Sequence, residues 1–275
     1  RFCQKHNITI KLPDSMPPTM TESFATIIPM LLNVSLFFIL NLLIQSSGIA
    51  PHLPALIEAV LAKPVAAVNS IPGAMLLCLF ILLLWCCGVH GNMVVMAVTS
   101  PITMAAFASN AALYAAGETP VFEPIFMTTA IGLLGGCGCT FALCLLSLKA
   151  KSEQLKAFGK ASIVPSFFRL SEPAIFGAPV MYNPILMIPF IVGSLVVAIL
   201  FWLACTIGLC TAPYLMVSGT FPIFLSIFVY TLDIRDCLFV LLMIPVTCVI
   251  WYPFVRAYYN HLLAQEQAAV GSGEK

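Results

Sequence analysis

A long stretch of the chain carries no acidic or strongly basic side chain: residues 64–117 contain no Asp, Glu, Lys or Arg. Further apolar runs follow it, and over the whole chain 61% of residues are hydrophobic and only 8% are charged. A soluble domain carries about 25% charged residues and keeps part of its surface polar. Because a lipid bilayer can solvate the excess of apolar side chains, the sequence predicts an integral membrane protein.

A helix of about 20 apolar residues is long enough to cross the hydrocarbon core of a bilayer. Runs near this length predict membrane spans at residues 24–44, 72–88, 123–148, 185–209 and 237–253. Residues 93–116 are only mildly apolar and contain Pro101, which favours a broken or re-entrant helix packed against protein. The predicted fold is therefore an all-α, polytopic membrane protein with about five or six transmembrane helices.

Two further apolar segments are interrupted by prolines and glycines. Residues 164–183 contain three prolines and one acidic residue, and they predict a re-entrant hairpin. Residues 211–230 contain two prolines and Gly219, and they predict either a broken span or a second hairpin. Residues 51–70 carry one apolar stripe at helical spacing, which favours an amphipathic linker helix on the membrane surface over a soluble connector.

Composition argues against several other classes of protein. The net charge of +1 gives no reason to expect a nucleic-acid partner. Most of the eleven cysteines lie within apolar runs, where Cys behaves as a small hydrophobic residue, and their spacing does not match a metal-ligand pattern. We therefore expect no metal site, no disulfide framework and no other cofactor.

The ends and the basic loop predict a topology. Lysines are densest at residues 149–160, and the positive-inside rule places this loop in the cytoplasm. Trp251 and Tyr252 are predicted to lie at the membrane interface, with Arg256 as a basic anchor. The chain begins with Arg1 rather than Met and shows no signal peptide, so we expect that an upstream part is missing, and residues 265–275 predict a disordered tail.

Two ionisable residues stand out at interruptions of apolar segments: Glu172, followed by Pro173, and His90, within a Gly-Val-His-Gly turn. A charge at membrane depth costs about 3 kcal/mol or more unless it faces a cavity or a partner. A carboxylate, an imidazole and carbonyls freed by proline suit the many hydroxyls of a sugar, and Trp85 offers a flat apolar face to its ring. In the alternative interpretations, His90 is a core histidine, Glu172 pairs with Arg169, and Trp85 only packs.

Several motifs resemble the IIC permease subunit of the lactose/cellobiose/chitobiose family of the bacterial phosphoenolpyruvate-dependent sugar phosphotransferase system. They are Ile-Thr-Ile-Lys-Leu-Pro at 8–13 with Pro-Pro at 17–18, Gly-Val-His-Gly at 88–91, Glu-Pro-Ala-Ile-Phe-Gly-Ala-Pro at 172–179, Asn-Pro at 183–184, Ile-Pro-Phe at 188–190 and Tyr-Pro-Phe-Val-Arg-Ala-Tyr at 252–258. The Glu-Pro motif is the most specific of these.

The resemblance implies a domain organisation. Residues 1–50 would end an interface (dimerisation) domain with one span, and residues 51–70 would form the amphipathic linker helix. Residues 71–260 would form a transport domain with two re-entrant hairpins, and residues 261–275 a tail. The family implies a homodimer in the full-length form, located in the bacterial cell membrane.

The resemblance also implies a function. The chain would carry a β-linked disaccharide, of the cellobiose, chitobiose or lactose type, inward through the bilayer for phosphorylation. The phosphoryl group would come from a IIB protein that IIA charges, so no residue of this chain would be catalytic. His90 and Glu172 would hold sugar hydroxyls, and Trp85, Ser171 and Asn183 complete the predicted substrate-binding set.

Two departures from the family pattern concern the sugar site. Ser171 stands where the family has Asn before Glu-Pro, and Cys210-Thr-Ala-Pro213 stands where it has Trp-Thr-Thr-Pro. An amide and a sugar-stacking indole are therefore expected to be absent. The alternative functions are an ion-coupled secondary sugar transporter, with Glu172 as proton carrier, and a truncated subunit that does not transport.

Overall fold

The computed structural model of the protein describes residues 8, 10, 13, 18–53, 55–56, 68–150, 152–178 and 180–273. Within these residues every regular element is helical, which confirms the predicted all-α class. The helices of the described ranges are α1 (Pro18–Ser47), α2 (Ile71–Cys86), α3 (Gly91–Ala115), α4 (Met127–Ala130), α5 (Thr140–Ser147), α6 (Glu153–Phe167), α7 (Glu172–Gly177), α8 (Pro184–Thr206), α9 (Ile223–Thr231) and α10 (Ile234–Gly273), with 3₁₀ turns at Pro124–Phe126 and Cys137–Cys139.

Among the described residues, four helical segments are long and apolar enough to cross a membrane: Phe24–Ser47, Gly91–Ala115, Pro184–Thr206 and Ile234–Asn260. Two shorter apolar helices, Ile71–Cys86 and Cys137–Ser147, accompany them. Their hydropathy agrees with the prediction of an integral membrane protein, because side chains on α1 such as Phe38, which is 62% exposed, need an apolar solvent.

The chain divides into two compact units, Arg1–Lys63 and Pro64–Lys275. In the first unit, Asn33 of α1 donates its side-chain amide to the carbonyl oxygen of Pro29, and Asn41 accepts a hydrogen bond from the backbone of Leu53. Most of the predicted amphipathic linker helix lies outside the described residues. The assignment of the units as interface and transport domains stays a prediction.

In the second unit, residues 93–116 differ from the expectation of a broken helix. They belong to α3, a continuous helix of 25 residues with Pro101 inside it. Proline is tolerated in membrane helices because neighbouring groups can satisfy the carbonyl that it leaves free. The side chain of Thr103 donates to the carbonyl oxygen of Thr99 beside this proline.

The predicted span at residues 123–148 is wrong as a single helix. The segment is divided between a 3₁₀ turn, α4, a second 3₁₀ turn and α5. Gly135, Gly136 and Gly138 have φ between 82° and 90°, a left-handed region that a continuous right-handed helix excludes. A β-carbon at Gly138 would overlap the ring of Phe190 on α8, so this non-helical turn packs closely against a neighbouring helix.

The C-terminal part of the chain corrects two further expectations. Trp251 is fully buried rather than interfacial, and its indole nitrogen donates to the carbonyl oxygen of Gly138 at 3.2 Å. The predicted tail at 265–275 is helical as far as the structure describes it, because α10 continues to Gly273. Helix α10 packs against α5, α8 and α9, and it forms one wall of the second unit.

The two proline-rich segments are interrupted as predicted. Residues 164–183 end α6 at Phe167, turn, form the short helix α7 and turn again before α8. Residues 211–222 form a loop without helix or strand, and α9 follows them. The predicted position of these segments as re-entrant hairpins within the bilayer stays a prediction.

Candidate functional site

The turn between α2 and α3 fixes the imidazole of His90. Gly88 takes a φ of 80°, which reverses the chain after α2. His90 is the N-cap of α3, and its Nδ1 accepts a hydrogen bond from the backbone of Met93 at 3.2 Å. Because Nδ1 accepts, the neutral imidazole carries its proton on Nε2. Nε2 is therefore the atom that His90 presents to a partner.

The turn between α6 and α7 places Glu172 opposite the imidazole of His90. Glu172 is the first residue of α7, and Pro173 follows it at a position where a helix needs no N–H donor. Its Oε1 lies 3.4 Å from Nε2 of His90, and both side chains are about 40% exposed. The two ionisable residues selected from the sequence therefore meet at one half-exposed site.

Arg169 lies near Glu172 in the same cavity lining but bonds to the backbone of Gly132. Its backbone is left-handed, with a φ of 65°, and its Nε donates to the carbonyl oxygen of Gly132 at 2.9 Å. The alternative pairing of Glu172 with Arg169 is not among the ion pairs of the described residues. Gly136 is required here because a β-carbon would lie 2.7 Å from the carbonyl oxygen of Arg169.

The indole of Trp85 is buried and supports the His90 side chain, and it does not present an open ring face to a ligand. Its side chain is 2% exposed, and its ring centroid lies 4.3 Å from that of His90 with an angle of 48° between the planes. The indole nitrogen donates to Oδ1 of Asn92 at 3.1 Å. Trp85 therefore packs against the imidazole, and little of its surface is available for stacking on a sugar.

Asn92 is a site residue that sequence reasoning missed. Its Oδ1 accepts from Trp85 and also from the thiol of Cys137, at 2.9 Å. An amide nitrogen supplies two further donors, which remain for a ligand or water. The sequence feature that could have identified Asn92 is its position two residues after His90, within an otherwise apolar stretch.

These side chains line a cavity of about 270 Å³. Of the predicted substrate-binding residues, Trp85, His90, Ser171 and Glu172 line it. The other lining residues are Asn92, Gly132, Gly136, Cys137, Phe168, Arg169, Gly219, Thr220, Phe221 and Tyr230. Three residues of the loop before α9, Gly219, Thr220 and Phe221, thus line the cavity together with the two turns.

Asn183 lies outside this lining. It is the N-cap of α8, and its Oδ1 accepts a hydrogen bond from the backbone of Ile185 at 3.1 Å. An Asn before Pro at a helix start is a common capping arrangement, because the side-chain oxygen satisfies a free N–H. The structure therefore gives Asn183 a structural role that its sequence position also allowed.

A second cavity of about 240 Å³ adjoins the first. The two cavities share Asn92, Gly132, Arg169 and Tyr230 as lining residues. Four hydroxyl side chains distinguish the second cavity: Thr99, Thr103, Thr128 and Thr129. Thr99, Thr103 and Thr128 already donate their hydroxyl hydrogens to backbone carbonyls, so their oxygens remain as acceptors. The combined surface therefore offers acceptors to a ligand with many hydroxyls.

The chain matches the family model for "Phosphotransferase system, EIIC" over residues 1–194. Among curated proteins, it is 35% identical to the lactose-specific EIICB component of Lacticaseibacillus casei, with 97% of this chain and 46% of the relative covered. It is 31% identical to the oligo-beta-mannoside-specific EIIC component of Bacillus subtilis (strain 168), with 97% and 61% covered.

Among solved structures, the chain resembles the crystal structure of the transporter ChbC, the IIC component from the N,N'-diacetylchitobiose-specific phosphotransferase system. The TM-score is 0.70 at 30% sequence identity, with 97% of this chain and 63% of ChbC covered. The chain therefore spans 46–63% of the length of these relatives. Because the family model matches well over half of the sequence, this chain belongs to the EIIC family of the phosphotransferase system.

Proposed function

We propose that the protein is a membrane-embedded, sugar-translocating subunit of a bacterial phosphoenolpyruvate-dependent phosphotransferase system. Its substrate is a β-linked disaccharide of the cellobiose, chitobiose or lactose type. The names of its relatives support this class, because they specify lactose, oligo-β-mannoside and N,N'-diacetylchitobiose. The sugar moves inward through the chain and receives its phosphoryl group from a IIB protein.

One observation carries the proposal: the carboxylate of Glu172 and the imidazole of His90 lie 3.4 Å apart in a cavity that also contains Asn92 and Arg169. A sugar hydroxyl donates one hydrogen bond and accepts others. Glu172 accepts from a hydroxyl, whereas Nε2 of His90 and the amide of Asn92 donate to one. This alternation of acceptor and donors recognises neighbouring hydroxyls on one ring.

The aromatic residues of the cavity supply the apolar part of sugar recognition. Phe168, Phe221 and Tyr230 line it, and their rings can cover the C–H face of a pyranose. The sequence lacks the tryptophan expected near Cys210, and we assign its stacking role to Phe221 in the loop that follows. The Thr-lined second cavity accommodates a second sugar ring.

Glu172 also prepares the sugar for phosphorylation. A carboxylate that accepts the hydrogen bond of a hydroxyl raises the electron density on that oxygen and can accept its proton. Arg169 provides positive charge at the same cavity, where a phosphoryl group would arrive. No residue of this chain acts as a phosphoryl acceptor, since IIA and IIB carry that group.

We also propose the assembly and topology that the sequence predicted. The full-length protein forms a homodimer in the bacterial cell membrane, and the segment at residues 149–160, which includes the start of α6 and is not simply a loop, faces the cytoplasm, where IIB acts. The density of lysines in this segment supports that orientation. This orientation is tested with a Lys160→Cys variant and a thiol reagent that does not cross the membrane. We expect residue 160 to be labelled in permeabilised cells and not in intact cells.

The sugar site is tested by measuring disaccharide binding to Glu172→Gln and His90→Ala by isothermal titration calorimetry. A hydrogen bond to a charged group contributes about 1.5–3 kcal/mol, so we expect Kd to rise about tenfold or more in Glu172→Gln. Glu153→Gln is the matched control, because Glu153 is exposed in the first turn of α6, away from the cavity. Undiminished affinity in both cavity variants contradicts the proposal.

The alternative functions give different results in transport assays. An ion-coupled transporter would take up unmodified sugar, and an uncoupler would abolish this uptake. A phosphotransferase subunit yields phosphorylated sugar, and its uptake requires IIB. A subunit that binds sugar but transports none under either condition supports the third hypothesis, a non-transporting chain.

A further inference from the structure

A cavity of about 370 Å³ lies between the end of α5 and the last third of the apolar part of α10, away from the sugar site. Lys149 and Arg256 line it together with two tyrosines, Tyr252 and Tyr259, and the aliphatic side chains Leu146 and Val255. The cavity therefore combines two cations, two phenol hydroxyls and an apolar wall. None of these residues contributes to the sugar-binding cavity.

The two cations have no protein counter-charge in the part of the chain that the structure describes. The ion pairs there are His90 with Glu172 and Arg235 with Asp233. Both Lys149 and Arg256 are exposed, so the ammonium and the guanidinium are available to an anion from outside. Two cations facing one cavity repel each other, and a bound anion relieves this repulsion.

The helix geometry places the polar groups along one line. Tyr252, Arg256 and Tyr259 follow each other at intervals of four and three residues on α10, which puts them on one face of the helix. Lys149 follows directly after α5 and faces the same cavity. A single anionic group can therefore contact cations from two different helices.

The cavity lies where two apolar segments end together. The apolar helix Cys137–Ser147 stops two residues before Lys149, and the candidate span Ile234–Asn260 ends one turn after Arg256. Tyrosine and basic side chains at the end of a span mark the level of lipid headgroups. Leu146 precedes Lys149 on the apolar side of the cavity, and the mostly buried Val255 adds an apolar wall between Tyr252 and Arg256.

We propose that this cavity binds the headgroup phosphate of an anionic phospholipid. Lys149 and Arg256 pair with the phosphate, Tyr252 and Tyr259 donate hydrogen bonds to its oxygens, and Leu146 and Val255 contact the first part of an acyl chain. A soluble anion would use the cations but not the apolar wall, which is why the combination points to a lipid. The site is independent of the proposed sugar transport.

The test compares phosphatidylglycerol with phosphatidylcholine, a lipid with a phosphate but no net charge. Native mass spectrometry of the detergent-solubilised protein counts bound lipid, and thermal unfolding measures the shift in Tm that each lipid causes. We expect phosphatidylglycerol to bind at one saturable site and to raise Tm more than phosphatidylcholine does. In Lys149→Ala/Arg256→Ala its affinity should fall about tenfold or more.

The matched control is Lys156→Ala/Lys160→Ala, which removes two charges from α6 outside the cavity. It should retain the phosphatidylglycerol effect. Lys149→Gln serves if the double cavity variant does not fold, because Lys149 lies on the exposed surface after α5. Its binding should weaken severalfold, since about half of the paired charge is lost.

Three results would overturn the proposal. In the first, the cavity variants and the α6 control bind phosphatidylglycerol equally well. In the second, inorganic phosphate alone, at the same concentration, reproduces the whole shift in Tm, which would identify a site for a soluble anion. In the third, the variants bind lipid normally but lose binding to a soluble phosphocarrier protein, which would assign the cations to a protein partner.

Discussion

The indole nitrogen of Trp85 donates a hydrogen bond to the side-chain oxygen of Asn92, 3.1 Å away, and the indole ring lies against the imidazole of His90. The last turn of α2 and the first turn of α3 are thereby joined across the reversal at Gly88. Since Trp85 is almost fully buried, we expect it to affect sugar binding through the two side chains that it positions.

Replacing Trp85 with Phe should therefore weaken sugar binding without removing a direct contact. Phe keeps a ring against His90 but cannot donate to Asn92, and the loss of one hydrogen bond costs about 0.5–1.5 kcal/mol. We expect the Kd for disaccharide to rise about two- to tenfold, measured by isothermal titration calorimetry. Trp202→Phe on α8 is the control, because Trp202 is half-buried and does not line the cavity. Equal affinity in both variants would contradict the positioning role.

Four of the predicted residues line the candidate site, His90, Glu172, Trp85 and Ser171, whereas Asn92 and Tyr230 were not predicted. Glu172 and His90 could be recognised because a titratable group in an apolar context needs a partner or a cavity. Asn92 and Tyr230 could not, because an amide or a phenol occurs in many membrane helices and only the fold decides which cavity it faces. Asn183 was assigned to the substrate but caps α8, and local spacing alone did not distinguish these roles.

The helical class followed from hydropathy, but the continuity of individual helices did not. Residues 93–115 contain a proline and yet continue as one helix, whereas residues 123–148 are mostly apolar and are interrupted by left-handed glycines. The hydropathy of a segment indicates whether it prefers an apolar environment, but it does not determine the backbone conformation of that segment. Trp251 is similar: its position near the end of an apolar run suggested an interface, but a long-range hydrogen bond to Gly138 places it in the core.

Gly138→Ala should destabilise the fold strongly. A residue other than glycine in this left-handed conformation costs about 1–2 kcal/mol, and the overlap of its β-carbon with Phe190 adds about 1–3 kcal/mol. Gly208→Ala is a closely matched control, because Gly208 has a similar φ of 77° but a β-carbon added there would meet no atom within 4 Å. Thermal unfolding in detergent should show a larger loss of Tm for Gly138→Ala. A similar loss in both variants would show that backbone strain alone matters.

The turn between α9 and α10 should make stability depend on pH. Hydrogen bonds from the guanidinium of Arg235 lower the pKa of Asp233 from 3.8 to about 2, and the Thr211 hydroxyl contributes a further hydrogen bond. A carboxyl with a lowered folded pKa stabilises the fold fully above its ordinary pKa, and this stabilisation is lost as the pH falls towards the folded value.

Asp233→Asn should therefore lower Tm at pH 7, and its difference from the unmodified protein should shrink as the pH falls from about 5 towards 2. Glu118→Gln is the control, because Glu118 is exposed and has no ion pair within the described residues. Its effect on Tm should be small at every pH. A difference for Asp233→Asn that stays constant over this pH range would mean that the carboxylate charge is not what stabilises the turn.

Phe221 should matter for sugar affinity because we assign the stacking role to it in the loop before α9. Phe221→Ala removes a half-buried ring from the cavity lining, and an aromatic contact of this kind contributes about 0.5–1.5 kcal/mol beyond its buried area. We expect the Kd for disaccharide to rise about threefold or more, with a smaller effect in Phe221→Tyr, which keeps the ring. Phe224→Ala, three residues later and outside the lining, should bind sugar normally. If Phe221→Ala and Phe224→Ala have the same affinity, the ring does not contact sugar and another side chain replaces the absent tryptophan.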